Sequence, residues 1–265
     1  MPKTFTNKNH WAIILGGSSG LGLASAQKLA AEGLNICIVH RDRKSVMGEI
    51  EEAFEKIKSH QVRLLHFNKD ALNPSKRTEI ISTLKKELGS EGKIKVLIYS
   101  IAKGNLKPMV ATDTLTLQND DFQLTIAAMA IGLYDWVQQL FQEKLFATDT
   151  RIISFTSEGN QKAWRNYAAV SAAKAALEAI TRNIALEFAV HGIRANCLQA
   201  GVTDTASFRM IPGSELLKEH SLLRNPFNRL TIPEDVANAV FLLCQKEAAW
   251  INGAVIPVDG GEHLC

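Results

Sequence analysis

Long apolar runs, a strong excess of either charge and grouped cysteines are all missing from this 265-residue chain. No stretch approaches the roughly 20 apolar residues that a membrane-spanning helix needs. The opening MPKTFTNKNH lacks the apolar core of a signal peptide. Thirty Lys and Arg stand against 27 Asp and Glu, a net charge of +3, and the basic residues are scattered rather than gathered into a stripe. That balance argues against nucleic acid or an anionic membrane as the partner. Cys37, Cys197, Cys244 and Cys265 lie far apart, with no CxxC pair and no His at metal-ligand spacing, so neither a disulfide framework nor a metal centre is expected. Three of the four sit inside apolar runs and read as small core residues in a reducing compartment. The expectation is a soluble cytoplasmic protein.

What the chain has is a regular alternation. Apolar runs recur at residues 11–17, 35–40, 62–67, 95–100, 151–157, 193–199 and 254–260, and longer helical patterns such as LGLASAQKLAAEG lie between them. Short strands that are apolar on both sides, alternating with helices, predict a parallel sheet covered on both faces. The fold class is therefore α/β: a Rossmann-like doubly wound parallel sheet of about seven strands in one domain spanning residues 1–265. No linker, repeat or low-complexity stretch divides it. The segment from Gly201 to about Arg229 has no clear periodicity and follows a strand at the expected carboxyl edge of the sheet. Ligands of such folds bind there, so this segment reads as a mobile cover over a substrate pocket.

The first apolar run leads into GGSSGLG, residues 16–22, and then into a helix. Gly16, Gly20 and Gly22 let backbone approach a pyrophosphate, and Ser18, Ser19 and Leu21 place N–H groups at the helix start facing the anion. A tight strand-to-helix connection without a ligand would use the same glycines. Twenty residues beyond Gly20 the second run ends in VHRDRK. An NAD site is expected to place a carboxylate there for the ribose 2′-hydroxyl, and an NADP site a cation for the 2′-phosphate. His40 followed by Arg41 favours NADP(H), because the Arg fork suits a phosphate. Asp42 remains an alternative ribose partner, and Arg41 to Arg43 could equally be a solvated turn. Asp70, ending the third run, could accept from the adenine amine or cap a turn, a job for which Asn73 competes.

The helix pattern NYAAVSAAKAALEAITR carries Tyr167 and, seven residues later, Lys174. Seven helical residues turn through about 700°, so the two side chains share one face about 10 Å apart. An ammonium that near a phenol can lower the phenol's pKa, and the same ammonium can hold the hydroxyls of a nicotinamide ribose. Ser157, at the end of the fifth run, could join them. On this pair alone, a surface lysine and an interfacial tyrosine would be the plainer reading.

Together with the glycine turn, these residues resemble the short-chain dehydrogenase/reductase family over essentially the whole chain. Common members carry Tyr-x3-Lys, with a serine seventeen residues before the lysine. Lys174 and Ser157 are kept, but Val170 stands where that tyrosine would be. A Tyr-x6-Lys spacing is instead the mark of the enoyl-acyl-carrier-protein reductases, and YSIAKG (99–104) and the stretch from RLTIPEDVANAVFLLC to INGAVIPVDGG are similar to theirs. The likeness is to the NADPH-using branch.

The spacing also has a chemical reason of its own. In a ketone the hydride lands one bond from the oxygen that is protonated. In an enoyl thioester it lands on the β-carbon while charge gathers on an oxygen three bonds further along. Moving the phenol from one turn before the lysine to two shifts it by about 4.5 Å along the helix axis. It can then act as an oxyanion donor.

The resemblance implies catalytic roles for Tyr167, Lys174 and Ser157. It also implies a cofactor lining that includes Gly16, Leu21, Arg41, Asp70, Ala71, Ser100, Ile101, Ala102, Lys174, Thr203 and Thr205. Thr203 would offer backbone to the carboxamide and Thr205 a hydroxyl to the phosphates. It implies an acyl thioester substrate, on acyl carrier protein, in fatty acid synthesis, and a homotetramer built on residues 121–147, 167–190 and the last strand. Lys103, Lys107, Arg209 and Arg224 are candidate carrier contacts. Ala127 would take the place of a catalytic asparagine of carbonyl reducers, which disfavours ketone chemistry. Two alternatives stay open, a reductase of another carbonyl or enone in which Ser157 works with Tyr167, and a nucleotide-binding sensor without turnover.

Overall fold

The computed structural model describes residues 3–7 and 9–265. Seven strands form one sheet: β1 (His10–Leu15), β2 (Asn35–His40), β3 (Leu64–Asn68), β4 (Lys93–Tyr99), β5 (Phe146–Ser157), β6 (Ile193–Ala200) and β7 (Val255–Val258). All pairings are parallel and the order is β3-β2-β1-β4-β5-β6-β7. The chain winds outward from β1 in one direction and then from β4 in the other, which opens a crevice between β1 and β4 at their carboxyl ends. The doubly wound fold expected from the alternation is the fold observed.

Two-sided burial explains why the strands read as continuous apolar runs. Trp11, Ile13 and Leu15 face one layer and Ala12 and Ile14 the other, all fully buried. The first layer is built by α3 (Pro74–Leu88), α5 (Gly132–Gln142) and α6 (Ala168–Glu187) through Ile80, Leu84, Trp136, Val137, Leu177 and Ile184. The second is built by α1 (Gly20–Ala31), α2 (Met47–Lys58) and α9 (Pro233–Leu243) through Leu29, Phe54, Val236 and Val240. Among the described residues no helix is long and apolar enough to cross a membrane. Cys37, Cys197 and Cys244 are buried core residues and Cys265 is exposed.

Boundaries moved in places. The strand β5 begins at Phe146 rather than Arg151, because its first residues pair across an irregular register with β4. Between residues 201 and 229 the expected structureless cover holds two helices, α7 (Ala206–Arg209) and α8 (Ser214–Arg224). In α8 only Ser221 is buried among the described residues, so its sequence shows no apolar stripe to betray it. A further helix, α4 (Asn119–Ile126), runs into a π-helical turn over Ala127–Ile131 and then into α5. The Tyr99 hydroxyl donates to the Ala128 carbonyl at 2.5 Å, joining the end of β4 to this turn.

The turn between β1 and α1 brings three pieces of backbone together. Gly16 has φ +84°, and a Cβ there would lie 2.7 Å from the Ser100 carbonyl oxygen. A Cβ on Gly22 would lie 2.2 Å from the Gly16 carbonyl oxygen. An exposed helix position gains about 1 kcal/mol from Gly to Ala. Here the sign should reverse: urea unfolding of Gly22→Ala is expected to show a loss of about 1–3 kcal/mol. A gain would mean that the turn is not close-packed.

Candidate active site

Two adjoining cavities open at the carboxyl ends of the strands, one of about 380 Å³ over β1, β2 and β4 and one of about 330 Å³ over β5 and β6. Leu21, Ala102, Lys103, Lys174, Thr205 and Ser207 line both and form the passage between them.

The first cavity is shaped for a dinucleotide. Gly16, Ser18, Ser19, Gly20 and Leu21 border it at the start of α1. No side chain caps that helix: Ser19 stands at the N-cap without a capping hydrogen bond, which leaves the first N–H groups to an anion. Arg41, Asp70 and Ala71 line the far end, and Ser100, Ile101 and Ala102 the near wall. Thus the expected cofactor residues lie together, with three adjustments.

Thr203 lines the second cavity rather than the first, with its hydroxyl donated to the Gly201 carbonyl at 2.9 Å. Asp70 is not a free acceptor: Oδ1 takes the Leu72 N–H and Oδ2 the Arg41 guanidinium, each at 2.9 Å. The turn-capping alternative is therefore realised, while Asn73 caps α3 through the N–H groups of Ser75 and Lys76. His40 is the last residue of β2. Its ring is fully buried and bonded to Asp42, so its side chain offers nothing to a cofactor directly.

The second cavity holds the chemistry. Asn166 takes φ +62° and Tyr167 stands at the N-cap of α6, one residue before the helix begins. The phenol is therefore set on the flank of the helix rather than within it. Its hydroxyl lies 3.3 Å from Ser157 Oγ at the end of β5. The ring is buried, packed at 5.1 Å on Trp164, and a Cβ on Gly159 would come within 2.5 Å of it. Leu106, Met129, Val170, Phe208 and Ile211 add an apolar wall, while Glu158, Gln199, Asp259 and Glu262 line the rest.

Val170, at the place of the usual carbonyl-reducing acid, is buried against Met129 and Tyr167. Ala127 is exposed and turned away, and Met129 is the residue of the π-helical turn that faces the cavity. Neither residue is an asparagine.

Burial pushes the Tyr167 phenol above its ordinary pKa, and the Ser157 hydroxyl pulls the other way. The lowering by Lys174 expected from helical spacing is not realised. The Lys174 ammonium is buried and donates to the Phe155 carbonyl at 2.6 Å, leaving two N–H groups for the passage between the cavities. Its own pKa is lowered to about 8 by burial, with Cys197 and Glu178 acting the other way. Glu178 accepts from Thr156 Oγ1 at 2.6 Å and from Asn160.

The ion cluster on the cavity rim was not foreseen from the sequence. Arg224, at the end of α8, donates to Glu158 at 2.8 Å and to Glu262 at 3.0 Å, tying the cover to β5 and to the last turn of the chain. Lys107 and Arg209, two more of the candidate carrier contacts, are paired with Asp121 at 2.9 Å and Asp204 at 2.7 Å. Lys103 makes no hydrogen bond or ion pair among the described residues.

Known proteins are similar to this chain. A family model described as enoyl-(acyl carrier protein) reductase matches residues 16–263. The chain is 33% identical over 190 residues to the enoyl-[acyl-carrier-protein] reductase [NADH] FabI of Aquifex aeolicus, covering 70% of this chain and 68% of that one. It is 28% identical to the peroxisomal 2,4-dienoyl-CoA reductase [(3E)-enoyl-CoA-producing] of Mus musculus, covering 96% and 83%. The crystal structure of the Aquifex aeolicus enoyl-[acyl-carrier-protein] reductase superposes with a TM-score of 0.78 at 25% identity, over 97% of each chain.

Between pH 8 and 10.5 the unfolded chain holds a proton that folded Lys174 has released, so this residue makes stability rise with pH across that window. Removing it should remove the rise. The unfolding free energy of the cofactor-free protein minus that of Lys174→Met is expected to increase by up to about 1.4 kcal/mol per pH unit there. A difference that stays flat would mean that the lysine is solvated.

Proposed function

We propose, on the premise that the chain belongs to the enoyl-(acyl carrier protein) reductase family of short-chain dehydrogenases/reductases, that it uses NADPH to reduce the α,β double bond of an enoyl thioester. The observation that carries this reading is the Tyr167 hydroxyl, 3.3 Å from Ser157, in the wall of an apolar cavity whose usual acid position is filled by Val170. The two relatives described above are both named for reduction of conjugated thioesters. The Aquifex relative is named for NADH. Here Arg41, 59% exposed at the end of the nucleotide cavity, favours the 2′-phosphate of NADPH.

Bound reduced nicotinamide supplies hydride to the β-carbon. The chain does the rest. The glycine turn and the uncapped start of α1 seat the pyrophosphate, and the two remaining Lys174 N–H groups hold the ribose hydroxyls. Leu106, Met129, Val170 and Phe208 keep water from the conjugated system. Tyr167, kept neutral by burial, donates its O–H to the thioester oxygen as charge gathers there, and Ser157 orients the phenol. The proton that completes the α-carbon comes from solvent through the mouth of the cavity.

The same reading places the enzyme in fatty acid synthesis in the cytoplasm as a homotetramer. Leu186 in the last turn of α6, Val190 just beyond it and Trp250 before β7 are exposed apolar side chains where subunits would pack. A second reading, reduction of a carbonyl or enone not borne on a carrier protein, is favoured by one observation. Three of the four cations expected to meet an acidic carrier are already paired within the chain.

NADPH oxidation with crotonyl thioesters of coenzyme A and of acyl carrier protein, against a panel of ketones, tests the proposal. Oxidation with the thioesters is expected. Turnover of ketones alone overturns it, as does tight NADPH binding without turnover of any substrate. With crotonyl thioester, Tyr167→Phe should lower kcat by about 10²–10³-fold with little change in the Kd for NADPH. A phenylalanine variant retaining full kcat would remove the phenol from the mechanism.

A further inference from the structure

We propose that His40 is a positioning residue for cofactor choice: its buried ring holds the Asp42 carboxylate back from the 2′ position of the adenosine ribose and so leaves that position to Arg41. The inference rests on the NADPH reading above.

Strand alternation turns His40 inward, on the same face as Ile36 and Ile38. The ring packs edge-on against Phe54 of α2 at 5.6 Å and has no exposed side-chain surface. Its Nδ1 lies 2.8 Å from Asp42 Oδ2, and its Nε2 has no partner among the described residues. An ionised carboxylate only accepts, so the ring proton sits on Nδ1 and the imidazole acts as a donor.

Asp42 is also held by its backbone. Its N–H donates to Asn68 Oδ1 at 3.0 Å and its carbonyl accepts from Asn68 Nδ2 at 3.1 Å. With both backbone groups clasped to the end of β3, the carboxylate can move only by rotating its own side chain. The His40 bond selects the rotamer that points back to the strand.

Two consequences follow for a ligand. Asp42 borders the nucleotide cavity with its side chain 27% exposed, so a released carboxylate would face the ribose and accept from its 2′-hydroxyl. As held, one of its oxygens is spent and its charge is partly compensated by the imidazole N–H. Repulsion of a 2′-phosphate is thereby reduced. Arg41, beside it, spends one N–H on Asp70 and keeps the rest of its fork for that phosphate.

The test is direct binding to the purified full-length protein, followed by reduced-nicotinamide fluorescence, with circular dichroism melts to confirm folding. Kd for NADPH and for NADH are measured for the wild type, His40→Leu, His40→Asn, Asp42→Ser and the His40→Leu/Asp42→Ser double variant. Loss of one charge-assisted hydrogen bond corresponds to about ten- to 150-fold in an equilibrium constant. His40→Leu should shift the ratio of the two constants towards NADH by that factor.

His40→Asn, which keeps an N–H donor near the place of Nδ1, should stay within about twofold of the wild-type ratio, and the double variant should lose the shift. Asp42→Ser alone should leave the ratio nearly unchanged, because the held carboxylate does not read the ribose. An unchanged ratio in folded His40→Leu, an equal shift in the double variant, or a large selective loss of NADH affinity in Asp42→Ser each overturns the proposal. The last of these decides even if the His40 variants fail to fold. A wild type that prefers NADH sinks the NADPH reading, whereas the tether is judged by the change in ratio.

Discussion

The contact on which the rest depends is the one between the Tyr167 phenol and the Ser157 hydroxyl at the carboxyl end of β5. It sets a neutral donor in the wall of an apolar cavity, next to a passage into a cavity built for a dinucleotide. Its geometry is enforced from several sides. Asn166 in the left-handed region turns the chain before α6, Trp164 packs one face of the ring, and the missing side chain of Gly159 leaves room for its edge. A ring so confined keeps few rotamers, and that preorganisation is what makes a single hydrogen bond to a developing oxyanion effective.

Lys174 and Tyr167 divide the work rather than sharing it. The ammonium is anchored on the Phe155 carbonyl and faces the passage, and the phenol is governed by burial and by Ser157. In a Tyr-x3-Lys arrangement the two groups would act on one oxygen. Here the place of that tyrosine is taken by the apolar Val170, buried in one cluster with Tyr167 and Met129. The rim of the cavity follows the same economy of charge: Arg224 joins Glu158 and Glu262 and so pins α8 over the site. Such partly buried ion pairs contribute modestly to stability, since desolvation offsets much of the Coulomb attraction, but breaking one leaves an uncompensated charge. Their effect here is to hold the cover in one place.

The sheet was legible because strands buried on both faces are apolar at most positions, and the phosphate turn because close backbone approach at Gly16 and Gly22 tolerates no side chain. The nearness of Tyr167 to Ser157 was legible from the family resemblance, whereas the helical wheel that set Tyr167 over Lys174 stops one residue short of Tyr167. Three features were not legible, each for a physical reason. The helix α8 has no apolar stripe, because it is held by Arg224 rather than by a packed face. The ion cluster joins residues separated by 66 and 38 positions, a distance at which local pattern carries no information. The π-helical turn decides which residue of this stretch faces the cavity, and Met129 rather than Ala127 lines it. His40 was misplaced because a histidine ending a buried strand reads the same whether its ring turns outward or into the core.

The central claim is that the Tyr167 phenol meets the oxygen of a conjugated thioester beyond the nicotinamide. A crystal structure with NADP⁺ and an enoyl thioester measures this most directly. The account predicts the Tyr167 Oη within hydrogen-bonding distance, about 2.7 Å, of the thioester carbonyl oxygen, with Lys174 on the ribose. A phenol directed away from that oxygen, or a thioester bound with its β-carbon out of reach of the nicotinamide, would contradict it.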